Sequence, residues 1–396
     1  MQRRKFLKNT GLIASGTLLV PGFLKAGYLN AGLNTGGKKL VVIQLSGGND
    51  GLNTVVPFAS DDYYKARPFL GLKDKDIIRL DDYQALNANL SGLADLYNQG
   101  DVCVLNSVGY PNPNRSHFRS MDIWQSASDS DEYVFSGWLG RYLDHNCSNA
   151  HDIIEIGNTL SLAMKGDHGS GLAMKDAKTL YRTVRDDHFG QLSDLAKGHT
   201  SGAANLDFLY KTMVDTQESA KYVYEKTKVY NSKAEYPMNA FAKSLKTVAE
   251  FIQSGVETQV YYVSLNGFDT HVNQKGTHGR LLKTYGDGVK AFVDDLKQSG
   301  HFKDTLIMTF SEFGRRIKQN ASGGTDHGKA NNMFLIGDGL NGAGIFNKMP
   351  DLSKADKGDI AFEIDFRRVY GEVIDQWMGA SSGQVLGRDF KSLGII

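Results

Sequence analysis

Hydrophobic residues gather along this chain in short runs, each followed by a polar loop that contains glycine or serine. Residues 39–45 lead into Ser46-Gly47-Gly48-Asn49-Asp50-Gly51-Leu52-Asn53, and residues 102–105 lead through Asn106 and Ser107 towards Arg115-Ser116-His117. Residues 259–265 lead into Gly267-Phe268-Asp269-Thr270-His271, and residues 305–310 into Ser311-Glu312-Phe313-Gly314-Arg315. Runs this short, apolar and rich in β-branched residues predict buried strands. Between the last two, Leu282, Tyr285, Val289, Phe292, Val293 and Leu296 recur every three or four residues, which predicts an amphipathic helix facing a core, with Gly300 as its stop signal. Strand, helix and strand in that succession form a βαβ crossover, so the two strands are expected to be parallel and adjacent or nearly so. A second periodic helix is expected over 238–252. The segment 152–233 is less regular, with a helix near 204–228, and is expected to be an insertion or cap. No repeat suggests a solenoid or propeller. The expected class is α/β, with a mostly parallel sheet in a single domain over 38–396.

The N-terminus changes the picture. Gln2-Arg3-Arg4-Lys5-Phe6-Leu7-Lys8 precedes a moderately apolar run over 11–24 that holds Pro21. This is the basic region and short hydrophobic region of a twin-arginine export signal over residues 1–26, cleaved near Ala26. The run is too short and too weakly hydrophobic for a permanent membrane span. The expected partner during export is therefore the twin-arginine translocase, and the expected location is periplasmic or extracellular. The signal removes five of the 45 basic residues and none of the 44 acidic ones, which leaves a mildly acidic chain and argues against nucleic-acid binding. Cys103 and Cys147 are the two cysteines. An oxidising compartment permits a bridge worth about 4 kcal/mol, while the apolar run Val102-Cys103-Val104-Leu105 favours a buried free thiol.

In an open parallel sheet the ligand site lies beyond the carboxyl ends of the strands. The polar residues that recur there are Asp50, Asn53, Ser116, Asp269, His271, Ser311 and Glu312, joined by Asp326-His327-Gly328 just before the apolar run 333–336. Imidazole and carboxylate together suit Zn²⁺ or Mn²⁺. Each piece also has a plainer reading: Asp50 satisfying the amides of its own turn, Asp269-Thr270-His271 as a helix cap, Glu312 with Arg315 as a local ion pair. Four such loops after strands favour a common site. His145, His151, His168, His188, His199, His278 and His301 have no recognisable partner spacing and are expected at the surface. Gly32 to Lys39 resembles a P-loop by letter but ends in Lys39 and precedes its strand, and a dinucleotide G-x-G-x-x-G is missing after the first strand.

The twin-arginine start, the Ser46 to Asn53 loop, Arg115-Ser116-His117-Phe118, Gly267-Phe268-Asp269-Thr270-His271, Ser311-Glu312-Phe313-Gly314-Arg315 and Asp326-His327-Gly328, in that order, resemble the exported bacterial domain-of-unknown-function family numbered 1501. That family is grouped with the alkaline phosphatase-like and sulfatase-like superfamily, which implies a doubly wound α/β/α sandwich with a metal site at the strand ends. The resemblance implies Asp50, Asp269, His271, Glu312 and His327 as metal ligands. It implies Ser116 as the nucleophile, with Arg115 or Arg315 steadying the equatorial oxygens of phosphorus or sulfur. Phe313 stands where a histidine ligand is expected, so one divalent ion, Zn or Mn, is expected rather than two. A C/S-x-P-x-R context is missing, which argues against a type I sulfatase. The implied activity is metal-dependent hydrolysis of phosphate or sulfate esters of a small molecule, glycan or lipid headgroup. The alternative is a catalytically degenerate binding or assembly protein of the envelope.

Overall fold

Along the strand Lys39–Ser46 (β1), Val41, Ile43 and Leu45 pack into one hydrophobic core while Leu40 and Val42 pack into another. A strand turns successive side chains to opposite faces, so a run apolar at every position must be covered on both. This chain follows that rule in a computed structural model that describes residues 37–198 and 201–396. The export signal expected over 1–26 lies outside the described residues. Lys38–Ile396 form one compact unit.

The main sheet has nine strands: β1, Val102–Gly109 (β2), Ile153–Ile156 (β3), Leu172–Met174 (β4), Val260–Asn266 (β5), Thr305–Phe310 (β6), Asn331–Ile336 (β7), Gly344–Ile345 (β8) and Ile364–Asp365 (β9). Their order is β8-β2-β7-β6-β1-β5-β3-β4, with β9 paired to β2. β7 runs antiparallel to β2 and β6, and the other pairings in this sheet are parallel. The crossover partners β5 and β6 are parallel and flank β1, with Ile43 in register with Val263 on one side and Thr309 on the other.

Helices cover both faces. Ser91–Asn98 (α1), Ala240–Gln253 (α7) and Gln274–Gln298 (α8) supply Leu93, Leu245 and Leu282 to one core. His117–Ser126 (α2), Trp138–Asn146 (α3) and Phe366–Glu372 (α9) supply Trp124, Leu139 and Phe366 to the other. Trp124 stacks between Phe310 at 5.1 Å and Phe366 at 4.2 Å, tying α2 and α9 to β6. On α8 all six periodic residues are fully buried, each contributing roughly 1.5–3 kcal/mol. The helix ends where Gly300 takes φ +76°, the left-handed conformation of a glycine stop.

The segment 152–233 differs from the expected cap. Its first part builds β3 and β4 at one edge of the sheet, and only then come Ala177–Val184 (α4), Asp187–Ala196 (α5) and Ala204–Thr227 (α6). Strands of four and three residues are too short to show a period in sequence. Cys103 and Cys147 are both free thiols, and burial pushes Cys103 up to about 12.

Candidate metal centre

The carboxyl ends of β1, β2, β5 and β6 and the amino end of the antiparallel β7 meet at one edge of the sheet, which gathers all five sequence motifs. Close approach of backbones sets the glycines. Gly47 has φ +117° and a Cβ there would stand 2.5 Å from the Asp269 nitrogen; Gly48 has φ +74° and a Cβ would enter the Phe313 ring. An isolated bridge between Arg315 and His327 brings the last motif against the end of β6.

Three imidazoles surround one carboxylate oxygen. From Asp269 Oδ1 it is 3.0 Å to His271 Nε2, 3.2 Å to His327 Nε2 and 3.4 Å to His117 Nε2. On the far side of each ring, Nδ1 faces an acceptor. His117 Nδ1 lies 2.9 Å from Glu312 Oε1, His271 Nδ1 3.2 Å from Asp326 Oδ1, and His327 Nδ1 2.8 Å from the carbonyl oxygen of Arg115. A carbonyl or carboxylate oxygen can only accept, so each ring carries a proton on Nδ1 and leaves Nε2 at the centre to meet a cation or a second proton. His271 Nε2 and His327 Nε2 then face each other at 2.9 Å, and His117 Nε2 is a buried atom without a hydrogen-bond partner. Converging lone pairs repel unless a cation or a proton lies among them. Outer acceptors that fix ring orientation are the usual surroundings of metal-ligating histidines. The donor set of three imidazoles and a carboxylate therefore fits a borderline divalent ion. Among the described residues, the ligating atoms of His117, Asp269 and His327 all lie within 4.8 Å of one another.

Charge follows this geometry. Burial works to raise Asp269, but the hydrogen bond and positive charge of Arg315 outweigh it and hold the carboxyl at about 2. The hydrogen bond to the Glu312 carboxylate raises His117. His327 has only a neutral carbonyl on its Nδ1 side, and burial lowers it.

His117 is the residue the sequence did not single out as a ligand. It is the first residue of α2, and its ring lies 4.9 Å from that of Phe313 and 4.4 Å from that of His327. The imidazole expected at position 313 thus comes from the loop after β2, while the buried Phe313 ring forms an apolar wall behind His117 and His327. The one signal was its place in the Arg115-Ser116-His117 motif.

The other expected residues are placed as follows. Glu312 is fully buried, accepts from the Gly47 amide at 2.8 Å and orients His117 from outside the centre. Asp50 is fully buried and points elsewhere: its Oδ2 accepts from Arg67 Nη1 at 2.7 Å and from Gln274. Its partner Arg67 also donates to Asn53 Oδ1 and to the carbonyls of Arg316 and Ile317. The guanidinium of Arg315 is consumed by the carbonyls of Gly47, Gly48, Phe268 and Thr325 and by Asp269. It holds the loops, and its side chain is fully buried. Arg115 pairs with the buried Asp359 and presents its carbonyl to His327. Ser116 caps α2 in sequence, but its exposed hydroxyl makes no capping bond. Two histidines expected at the surface are buried instead. His278 lies 2.9 Å from Asn49 Oδ1 and burial lowers it to about 4, and His151 bonds Ser219 and stacks on Tyr222. Their partners come from distant segments, which no local spacing reveals.

No curated protein matches this chain. Solved structures similar to it include the lipoteichoic acid synthase LtaP from Listeria monocytogenes, at 10% identity over 82% of this chain and 74% of that one, with a TM-score of 0.36. The C-terminal periplasmic domain of EcEptC from Escherichia coli is similar at 9% identity over 76% and 73%, with a TM-score of 0.37. The phosphonate monoester hydrolase SpPMH from Silicibacter pomeroyi is similar at 7% identity over 89% and 78%, again with a TM-score of 0.37. Similarity at this level leaves the chemistry of the site to this chain's own side chains. A family model matches residues 107–388, a span that takes in His117, Asp269, His271, Glu312 and His327, and the chain belongs to that family, described as protein of unknown function (DUF1501).

Proposed function

We propose that this protein is a metal-dependent hydrolase of phosphate or sulfate esters in the cell envelope, built around one divalent ion, Zn or Mn, held by His117, Asp269, His271 and His327. The observation that carries this reading is the convergence of three Nε2 atoms on Asp269 Oδ1, each ring fixed from behind by an acceptor on Nδ1. Such an ion supplies positive charge that polarises the ester and favours ionisation of an attacking hydroxyl. Asp50 adds no ligand, because the Arg67 guanidinium already neutralises it.

Ser116 sits between the residue that anchors His327 and the residue that supplies His117, with its hydroxyl uncommitted. In this reading the Ser116 hydroxyl attacks phosphorus or sulfur, and the ester oxygen takes up the proton lost by that hydroxyl and leaves as an alcohol. Water then cleaves the seryl ester, releasing phosphate or sulfate and restoring the Ser116 hydroxyl. Arg115 retains N–H groups beyond its contact with Asp359 to meet the equatorial oxygens.

Turnover of 4-nitrophenyl phosphate and 4-nitrophenyl sulfate by metal-loaded protein tests this. We expect turnover that chelation removes and that Ser116→Ala abolishes without changing metal content. Survival of turnover in Ser116→Ala assigns the attack to water. The competing reading, an envelope binding or assembly protein, is favoured by the structural use of Asp50 and Arg315; fully metal-loaded protein inert towards both esters would establish it in place of the hydrolase.

A further inference from the structure

Beside the metal centre, at the same edge of the sheet, lies a cavity of about 570 Å³ that none of the roles above uses. Its floor is the carboxyl ends of β3 and β5, and its walls are the loops after β3 and β4 and the first two turns of α7. Three parallel neighbours end there, so the cavity opens where open α/β sheets bind ligands. Asn266, the last residue of β5, lines it. Three residues separate Asn266 from Asp269, so backbone reach places the two within roughly 11 Å. One ligand can span both.

The lining chooses the ligand. Ser264 offers a hydroxyl, and Asn158 and Asn266 offer amides. The Ser244 and Thr247 hydroxyls donate to the carbonyls of Ala240 and Lys243 and keep lone pairs to accept. Glu155 and Asp176 also line the groove, accepting from the amides of Ser161 and Thr179. Lys175 and Lys243 are both exposed, and among the described residues neither pairs with a carboxylate. The apolar side chains are Ile156 and Ala240 alone. An acyl chain here would strip water from these donors and give nothing back, at a cost of roughly 1–3 kcal/mol for each group left unpaired. A polyhydroxylated ring offers each of them a partner, because every hydroxyl both donates and accepts. The two ammonium groups, which pair with neither lining carboxylate, are left to donate to hydroxyl or anionic oxygens of that ring.

We infer that this groove is a saccharide subsite, and that the ester cleaved at the metal centre belongs to an anionic glycan, sulfated or phosphorylated, whose neighbouring sugar lies against Lys175, Lys243 and Asn266. The choice of substrate rests on the hydrolase reading; the binding of sugar by the groove does not. The test is calorimetric binding of a singly sulfated disaccharide, its unsulfated counterpart and hexyl sulfate to the full-length protein, metal-loaded and chelated, as wild type and as Lys175→Ala/Lys243→Ala. Both lysines are exposed and outside the metal centre, so the variant folds. We expect the substitutions to weaken the sulfated disaccharide about tenfold or more in both metal states, and to leave hexyl sulfate unchanged. Equal affinity of wild type and variant for the disaccharide would overturn the subsite whatever the metal content. An equal loss for hexyl sulfate would overturn the sugar in favour of a general anion site. A lysine effect in protein that takes up no metal would keep the groove and sink the hydrolase reading instead.

Discussion

Two carboxylates follow neighbouring parallel strands of this sheet, and the structure uses them in opposite ways. Asp50, after β1, is sealed: it is fully buried, paired with Arg67 at 2.7 Å, bonded by Gln274, and flanked by His278, which burial keeps neutral down to about 4. Asp269, after β5, is open: its side chain is 48% exposed, and three imidazole Nε2 atoms face it. Asp and His occur in both places. What separates them is where the compensating charge comes from. A buried guanidinium closes the first, while the second has one guanidinium, Arg315, on one side and imidazoles on the other, where a cation would fit. A carboxylate after a strand is therefore open to further partners only where, as at Asp269, the arginine that reaches it leaves its other side exposed.

The sharpest way to break that contrast is to remove the seal. Arg67→Ala leaves Asp50 as an uncompensated buried charge and is expected to cost about 3–5 kcal/mol in urea unfolding, with Asp50→Asn in the same chain recovering much of it. A cost near zero would mean that Asp50 is not held by Arg67. Next is the pH dependence of the sealed site. His278 has a folded value of about 4 against an ordinary value of about 6.5, so between these the unfolded chain takes a proton that the folded one refuses. Its contribution is fully present above pH 6.5 and is lost as pH falls to 4, by about 3 kcal/mol in all. His278→Gln should flatten that part of the stability profile of metal-free protein, and an unchanged profile would contradict it. At the open site, Glu312→Gln keeps an acceptor oxygen but loses the charge behind His117, and metal affinity is expected to fall about 10- to 100-fold in a chelator competition. The smallest effect is expected at Arg316, whose guanidinium is partly exposed and only 3.8 Å from Asp359; Arg316→Ala should change stability by less than about 1 kcal/mol.

The same contrast explains what the sequence could and could not tell. The strands β1, β5 and β6 and the helix α8 were legible because each is long enough to display its period, continuous in the strands and three-to-four in the helix. β3 and β4 were not, since four and three residues carry no period, and residues 152–233 read as a cap. The site edge was legible because polar motifs recur after strands, and Asp269, His271 and His327 do meet there. His117 was hidden in the opening of an amphipathic helix, and its role depends on Glu312, 195 residues away. The pairing of Asp50 with Arg67 and the saturation of Arg315 by four carbonyls are likewise set by tertiary packing. Sequence places a charged residue at a strand end; only the fold says what already neutralises it.

The central claim is that the open carboxylate and its three imidazoles hold one divalent ion, and the metal content of purified protein tests it most directly. Elemental mass spectrometry should find about one equivalent of Zn²⁺ or Mn²⁺ in the wild type, retained in Asp50→Asn and lost in His117→Ala. Wild-type protein without metal, or His117→Ala that keeps a full equivalent, would contradict it.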